Sequence, residues 1–214
     1  MNKLIIVGAG GLGRETLQWA LQSNKNNVKW SIAGFIDDEL DMLNGFDCSY
    51  TILGRILDWQ LKSNERFVIA IGTPKTKKMI ATRLAEKGAI FENIIHKTVT
   101  LATTVKLGCG IILCPNVVVS DNAIVDDHVG ININSSIGHD ACVGAYASIS
   151  SYCDITAGVS LGEGVFLGSS VCIVPQRKIG SNAYICAGSA VMNNVPPDTK
   201  VMGVPAKKFE IKTS

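Results

Sequence analysis

The chain has 214 residues, 47% of them hydrophobic, and a formal net charge of only +2 with histidine neutral. That is enough chain for one large domain or two small ones. No basic run marks a nucleic-acid surface, and no stretch approaches the length of a membrane-spanning helix. Neither a nucleic-acid partner nor membrane insertion is expected. The opening MNKLIIVGAGG breaks from a short apolar run into glycines, which reads as a first strand and not as a secretory leader.

Residues 3–7 (KLIIV) predict that strand, and GAGGLGRE followed by TLQWALQS predicts a turn into a helix. SIAGFI is a second strand ending in Asp37 and Asp38, and RFVIAIG (66–72) a third. KKMIATRLAEKG (77–88) has helical spacing closed by Gly88, and AIFENII is a further short strand. The alternation predicts a Rossmann-like parallel sheet covered by helices over residues 1–95.

Gly8, Gly10, Gly11 and Gly13 lie where the first strand turns into its helix, and Gly8, Gly10 and Gly13 fit the spacing GxGxxG. Glycine there lets a nucleotide approach the backbone, and the helix N-terminus favours phosphate. The other reading is a purely structural tight turn. About 95 residues are too few for a full doubly wound sheet, so a bound nucleotide reads as the handle of a substrate and not as a redox cofactor. Thr73 stands on the same carboxyl edge and is a further ligand contact. Of Lys75, Lys77 and Lys78, either one meets a diphosphate or all three are solvated helix charges.

From Leu101 to Val191 an aliphatic residue recurs at every sixth position, sixteen times without a miss. Neither strand alternation nor helical periodicity produces that spacing. Period six is the signature of a solenoid in which each hexapeptide forms one side of a triangular coil. Three hexads make a coil, so residues 18 apart stack, and residues 101–190 give five coils. The fifth position of each hexad is also small or aliphatic, except at Arg177, where the coil is expected to bulge or the side chain to leave it. Glycines at the second position, among them Gly108, Gly138 and Gly168, suit the turns. The solenoid is expected over residues 96–192. Residues 193–214 lose the period, contain Pro196, Pro197 and Pro205, and are expected to cap the far end.

Seven cysteines without a CxxC pair read as reduced thiols of a cytoplasmic protein, six of them serving the repeat as small hydrophobes. Three histidines are present. His96 sits at the domain junction and reads as structural. His128 lies in the acidic stretch VDDHVG. His139, third in its hexad and followed by Asp140, is expected to face outward, where a prism side meets a neighbouring copy.

The stretches IIVGAGGLGRE, GFIDD, FVIAIG, the run from Asn132 to Gly144 with its His139-Asp140 pair, and GVPAK at 203–207 resemble sialic-acid O-acetyltransferase-like proteins and nucleotide-amino-sugar N-acetyltransferases. The resemblance covers about 200 residues; GVPAK alone is the weaker motif because it recurs across many hexapeptide acyltransferases. It implies a left-handed parallel β-helix assembled as a homotrimer, with acetyl-CoA along the groove between adjacent β-helices and no metal. It also implies a UDP-, dTDP- or GDP-linked 4-amino-4,6-dideoxyhexose on the N-terminal domain. Carried over, Gly8, Gly11 and Gly13 face the nucleotide, Asp37 and Asp38 its nucleoside end or sugar, and Asn132 the reacting sugar. His139 becomes the general base and Asp140 its orienting group. Ser148 and Ser150 stand where some relatives place a second histidine near the acceptor.

A neutral imidazole of ordinary pKa, about 6.5, accepts a proton at pH 7, so direct transfer from a thioester to an amine needs no serine or cysteine nucleophile. The oxyanion needs a donor, and the amide of Ala157, one coil beyond His139, is suited to it. For acetyl-CoA the sequence offers Ala157, Arg177, Lys178, Gly203, Lys207 and Lys208. Two other functions stay open: O-acetylation of sialic acid or a related sugar, and a non-catalytic β-helix scaffold. A carbonic-anhydrase-type zinc site would need three imidazoles at one place, which this spacing disfavours.

Overall fold

The structure is a computed structural model and describes residues 1–23 and 30–209. Three parallel strands open the chain: β1 (Asn2–Val7), β2 (Trp30–Ile36) and β3 (Glu65–Ile69), in the order β2-β1-β3. Their apolar runs are buried on both sides, as expected of a small parallel sheet. Helix α1 (Gly11–Ser23) starts within the glycine turn, and α2 (Pro74–Glu86) starts three residues ahead of the expected KKMIATRLAEKG. Proline at its first turn fits, because the missing N–H would have had no helical partner there. The AIFENII segment divides between the two folding units. Phe91 makes one bridge to Phe67, whereas Ile94–Ile95 already pairs with Ile112–Leu113 in the solenoid. The first solenoid strand thus begins two residues before the expected boundary at 96.

Beyond Ile94 the chain winds as two-residue strands joined by four-residue corners, forming three parallel faces. The first face runs through Ile112, Gly130, Ser148, Phe166 and Tyr184, the second through Val118, Ser136, Asp154 and Cys172, and the third through Ile124, Cys142, Ser160 and Lys178. Each pairing links residues 18 apart, the expected stacking. First-position aliphatics and fifth-position small residues fill one continuous interior, from Ile111 and Leu113 to Ile185 and Val191.

The corners differ from expectation in one respect. Left-handed backbone falls at the fourth hexad position, not the second, as at Asn116 (φ 61°), Asn134 (φ 57°) and Asp140 (φ 60°). Asparagine and aspartate tolerate that region better than other non-glycine residues. The second-position glycines serve close packing between coils: a Cβ on Gly138 would sit 2.6 Å from Thr156 C, and one on Gly168 2.5 Å from Ala187 N. At Arg177 the coil does not bulge, because Lys178–Ile179 stays in register with Ser160–Leu161. The side chain is half-buried and folds back to donate from Nε to Pro175 O (3.1 Å).

Past Val191 the coil shortens but does not stop. Val195 bridges Ile179 and Lys200 pairs with Tyr184, each 16 residues apart instead of 18. Lys207–Lys208 then runs antiparallel to Val201–Met202 along the last rung, which caps the edge. Residues 210–214 of the expected tail lie outside the described residues.

The N-terminal domain covers the first face. Ile94, Ile112 and Cys114 join Leu4, Leu17 and Trp30 in one apolar cluster. Ser23 Oγ donates to Ile95 O (2.7 Å), and His96 Nε2 meets Gln22 Oε1 (2.7 Å), so His96 does work as a junction residue. Of the six solenoid cysteines, only Cys114 and Cys153 are buried. Cys142 and Cys172 face outward, where the strand alternation puts them, and Cys109 is exposed in a corner. All seven cysteines are free thiols.

Candidate active site

The glycine turn divides into two parts. Gly8 has φ +97°, and its N–H donates to Ile36 O (2.9 Å). A Cβ on Gly13 would lie 2.0 Å from Gly8 O, so Gly13 exists to seat α1 against the turn and does not face a ligand. Gly10 and Gly11 have open space where a Cβ would be. Open backbone surface in the turn is therefore at Gly10–Gly11, at the start of α1.

Asp37 and Asp38 also hold the turn in shape. Asp37 Oδ2 accepts from Ala9 N (2.7 Å) and Oδ1 from Glu39 N (3.0 Å); Asp38 Oδ1 accepts from Ile56 N (3.0 Å). Charged acceptors on backbone amides are strong, so both carboxylates fix the carboxyl edge of β1 and β2.

A cleft of about 80 Å³ lies between the carboxyl end of β3 with the start of α1 and the first face of the solenoid. Leu12 and Gly72 line it from the N-terminal domain, Asn132, Ser148 and Ser150 from the solenoid, and Lys77 from α2. Asn132 thus shares a cleft with Leu12 at the start of α1, while none of the four turn glycines lines it. Thr73 does not. It lies in a separate groove of about 470 Å³ with Lys75, Lys78, Tyr146 and Tyr184.

Lys77 overturns the reading of three solvated helix charges, since it is buried in the cleft wall. It is 3% exposed, and its Nζ donates to Ala147 O (3.2 Å) and Ser148 Oγ (2.8 Å). Burial drives its pKa down to about 7. The signal was present in the sequence: Lys77 is three and seven residues before Ile80 and Leu84, on the buried stripe of α2. Lys78, one residue on, is exposed and pairs with Glu163.

His128 is also buried, between the rings of Tyr146 (5.4 Å, near-parallel) and Phe91 (4.5 Å, edge-on). Its Nδ1 has no hydrogen-bond partner among the described residues, and burial lowers its pKa. His139 is the outward histidine. It sits at the corner between the second and third faces with 64% of its side chain exposed. Its Nδ1 is 2.7 Å from Asp140 Oδ2. That hydrogen bond holds the Asp140 carboxyl below the usual range, so it stays ionised. An ionised carboxylate only accepts, so Nδ1 carries the proton and Nε2 presents a lone pair.

Ala157 stands directly above, since Gly158 N donates to His139 O (2.9 Å). The Ala157 carbonyl accepts from Gln176 N, while its N–H has no partner among the described residues. The remaining candidates are spread along the capped end. The Lys178 amide is taken by Asn194 Oδ1 (2.9 Å), and Gly203 (φ +96°) donates to Ser189 Oγ (3.1 Å). Lys207 and Lys208 are exposed on the final strand. Among the described residues, no group of three or more His, Cys, Asp or Glu could hold a metal ion, and no helix is long and apolar enough to cross a membrane.

Residues 3–84 match the family model described as the PglD N-terminal domain. Several solved structures share the fold over nearly the full length of both chains. The acetyltransferase domain of PglB from Neisseria gonorrhoeae FA1090 is 24% identical, with a TM-score of 0.89, and the match covers 98% of this chain and 100% of that one. A histidine-to-asparagine mutant of perosamine N-acetyltransferase from Caulobacter crescentus, in complex with CoA and GDP-perosamine, is 22% identical (TM-score 0.89; 99% and 98% covered). WeeI from Acinetobacter baumannii AYE is 22% identical (TM-score 0.86; 98% and 100% covered). No curated protein matches the chain.

Proposed function

We propose, for a chain whose residues 3–84 match the PglD N-terminal domain model and whose whole length shares its fold with solved sugar N-acetyltransferases, that it is an acetyl-CoA-dependent N-acetyltransferase. The acceptor is the 4-amino group of a nucleotide-linked 4-amino-4,6-dideoxyhexose. The observation that carries this reading is the exposed His139, fixed by Asp140 with Nε2 free, beneath the unpartnered amide of Ala157. The Caulobacter relative, solved with CoA and GDP-perosamine, supports both substrate classes.

The proposed chemistry is direct. His139 Nε2 takes the proton of the amine as its nitrogen attacks the thioester carbonyl, and Ala157 N–H donates to the oxygen that becomes negative. The imidazolium then returns the proton to the departing thiolate sulfur. Acyl transfer of this kind gains about 10²- to 10⁴-fold from a positioned base, and oxyanion donors add to that.

Asn132 and His139 lie in the same coil with the second-face strand Ser136–Ile137 between them. The cleft opens on the first face, whereas His139 points away from the corner of the second and third. One copy does not bring both to one acceptor, which favours an assembly, most simply a homotrimer, in which His139 of one copy serves the cleft of the next. Acetyl-CoA would then lie along the shared groove, near Ala157, Lys178 and the capped end.

The test is thiol release from acetyl-CoA with UDP-, dTDP- and GDP-linked 4-amino-4,6-dideoxyhexoses and free sialic acid, wild type beside His139→Ala. Release with one amino sugar, lost in the variant, is expected. Activity on sialic acid alone would move the assignment to O-acetylation, and full activity of His139→Ala would remove the base from the mechanism.

A further inference from the structure

Lys77 is the one cation lining the cleft, and no carboxylate lies within ion-pair distance of it among the described residues. In its protonated form, which prevails below about pH 7, Lys77 has three N–H donors. Two are used, on Ala147 O and Ser148 Oγ, and the third has no acceptor among the described residues. Ser148 is in the same position. It is 8% exposed and its Oγ accepts from Lys77, while its own O–H donates to nothing among the described residues. Two polar hydrogens are therefore left over in a nearly dry wall, and such groups are costly unless something accepts from them. The wall belongs to the cleft that also holds Asn132 and Ser150, next to the apolar Leu12, Ile71 and Phe166. Donors set in an apolar cleft fit a hexose, whose ring oxygens accept and whose carbon faces prefer apolar contact.

We infer that Lys77 and Ser148 form a donor pair that binds an oxygen of the acceptor's hexose, making Lys77 a specificity-determining residue as well as a tie between α2 and the solenoid. This rests on the nucleotide-sugar reading above. A site built to hydrogen-bond a substrate oxygen discriminates strongly, because its buried donors stay unpaired when that oxygen is missing.

The experiment compares full-length wild type, Lys77→Met and Ser148→Ala by calorimetry. Each is titrated with the UDP-, dTDP- and GDP-linked 4-amino-4,6-dideoxyhexoses and with UDP, dTDP and GDP alone. Ser148→Ala leaves the Lys77 bond to Ala147 in place, so it stays informative if Lys77→Met is poorly folded. Both variants are expected to bind the sugar nucleotide at least tenfold more weakly and the bare nucleoside diphosphate within twofold of wild type. In turnover, KM for the sugar nucleotide should rise tenfold or more while KM for acetyl-CoA is unchanged. A tie between domains with no ligand contact would weaken both ligands together or neither, and either result overturns the inference. If the wild type binds none of these probes, the nucleotide-sugar reading itself is refuted. If it binds and acetylates one of them, that reading stands whatever the variants do.

Discussion

Gly13→Ala and Gly11→Ala should move stability in opposite directions, although both lie in the first turn and a half of α1. At Gly13 a methyl would sit 2.0 Å from Gly8 O and 2.9 Å from Gly8 C, both backbone atoms that cannot swing aside. The helix must back away from the glycine turn, where Asp37 holds Ala9 N at 2.7 Å. Overpacking of a well-packed site costs about 1–3 kcal/mol, occasionally more. The better helix propensity of alanine returns up to about 1 kcal/mol. At Gly11 nothing lies within 4 Å of the added Cβ, so only the propensity gain remains. At roughly 2–4 °C per kcal/mol for a chain of this size, Gly13→Ala should lower Tm by several degrees and Gly11→Ala leave it level or slightly higher. The readout is thermal unfolding by circular dichroism, with nucleotide binding in parallel. Gly11→Ala is expected to weaken nucleotide binding with the fold intact. Equal melting of Gly13→Ala and wild type would refute the division of the turn into a packing half and a ligand half.

Three further outcomes follow from the same structure. Asp140→Asn should lower turnover by roughly tenfold, with Tm unchanged, because it loosens the orientation of an exposed imidazole and removes nothing from the core; no change in turnover would detach Asp140 from the base. Lys77 holds its proton in the unfolded chain up to the ordinary lysine value of 10.5, but only to about 7 when folded. Stability should therefore rise with pH between those values, at up to about 1.4 kcal/mol per pH unit. Across pH 7 to 9 the stability of wild type relative to Lys77→Met should rise by about 2 kcal/mol in urea unfolding, and parallel curves would refute the lowered pKa of the buried amine. Under native conditions Cys109, Cys142 and Cys172 should react with an aromatic disulfide reagent, while Cys114 and Cys153, buried and with pKa pushed up to about 12 and about 11, should wait for denaturation.

What the sequence disclosed was whatever a short-range period could encode. The sixfold aliphatic spacing fixes which residues stack, and the pairings of Gly130, Ser148 and Phe166 follow from it without further information. His139 was legible for the same reason, since a third-position residue cannot turn inward. The failures are contacts between units that no single period spans. The bond Asp37 makes to the glycine turn was hidden in a linear reading, because Ala9 N lies 28 residues back. Lys77 looked solvated because the surface it enters belongs to residues 147 and 148, about 70 positions later. Second-position glycines were assigned to turns on their conformational freedom, when the deciding quantity was the distance to the next coil. The same limit applies to the active site. His139 and the Lys77–Asn132 cleft are each well defined within one copy, yet they lie on different sides of the coil, and no six-residue period can say whether they serve one acceptor.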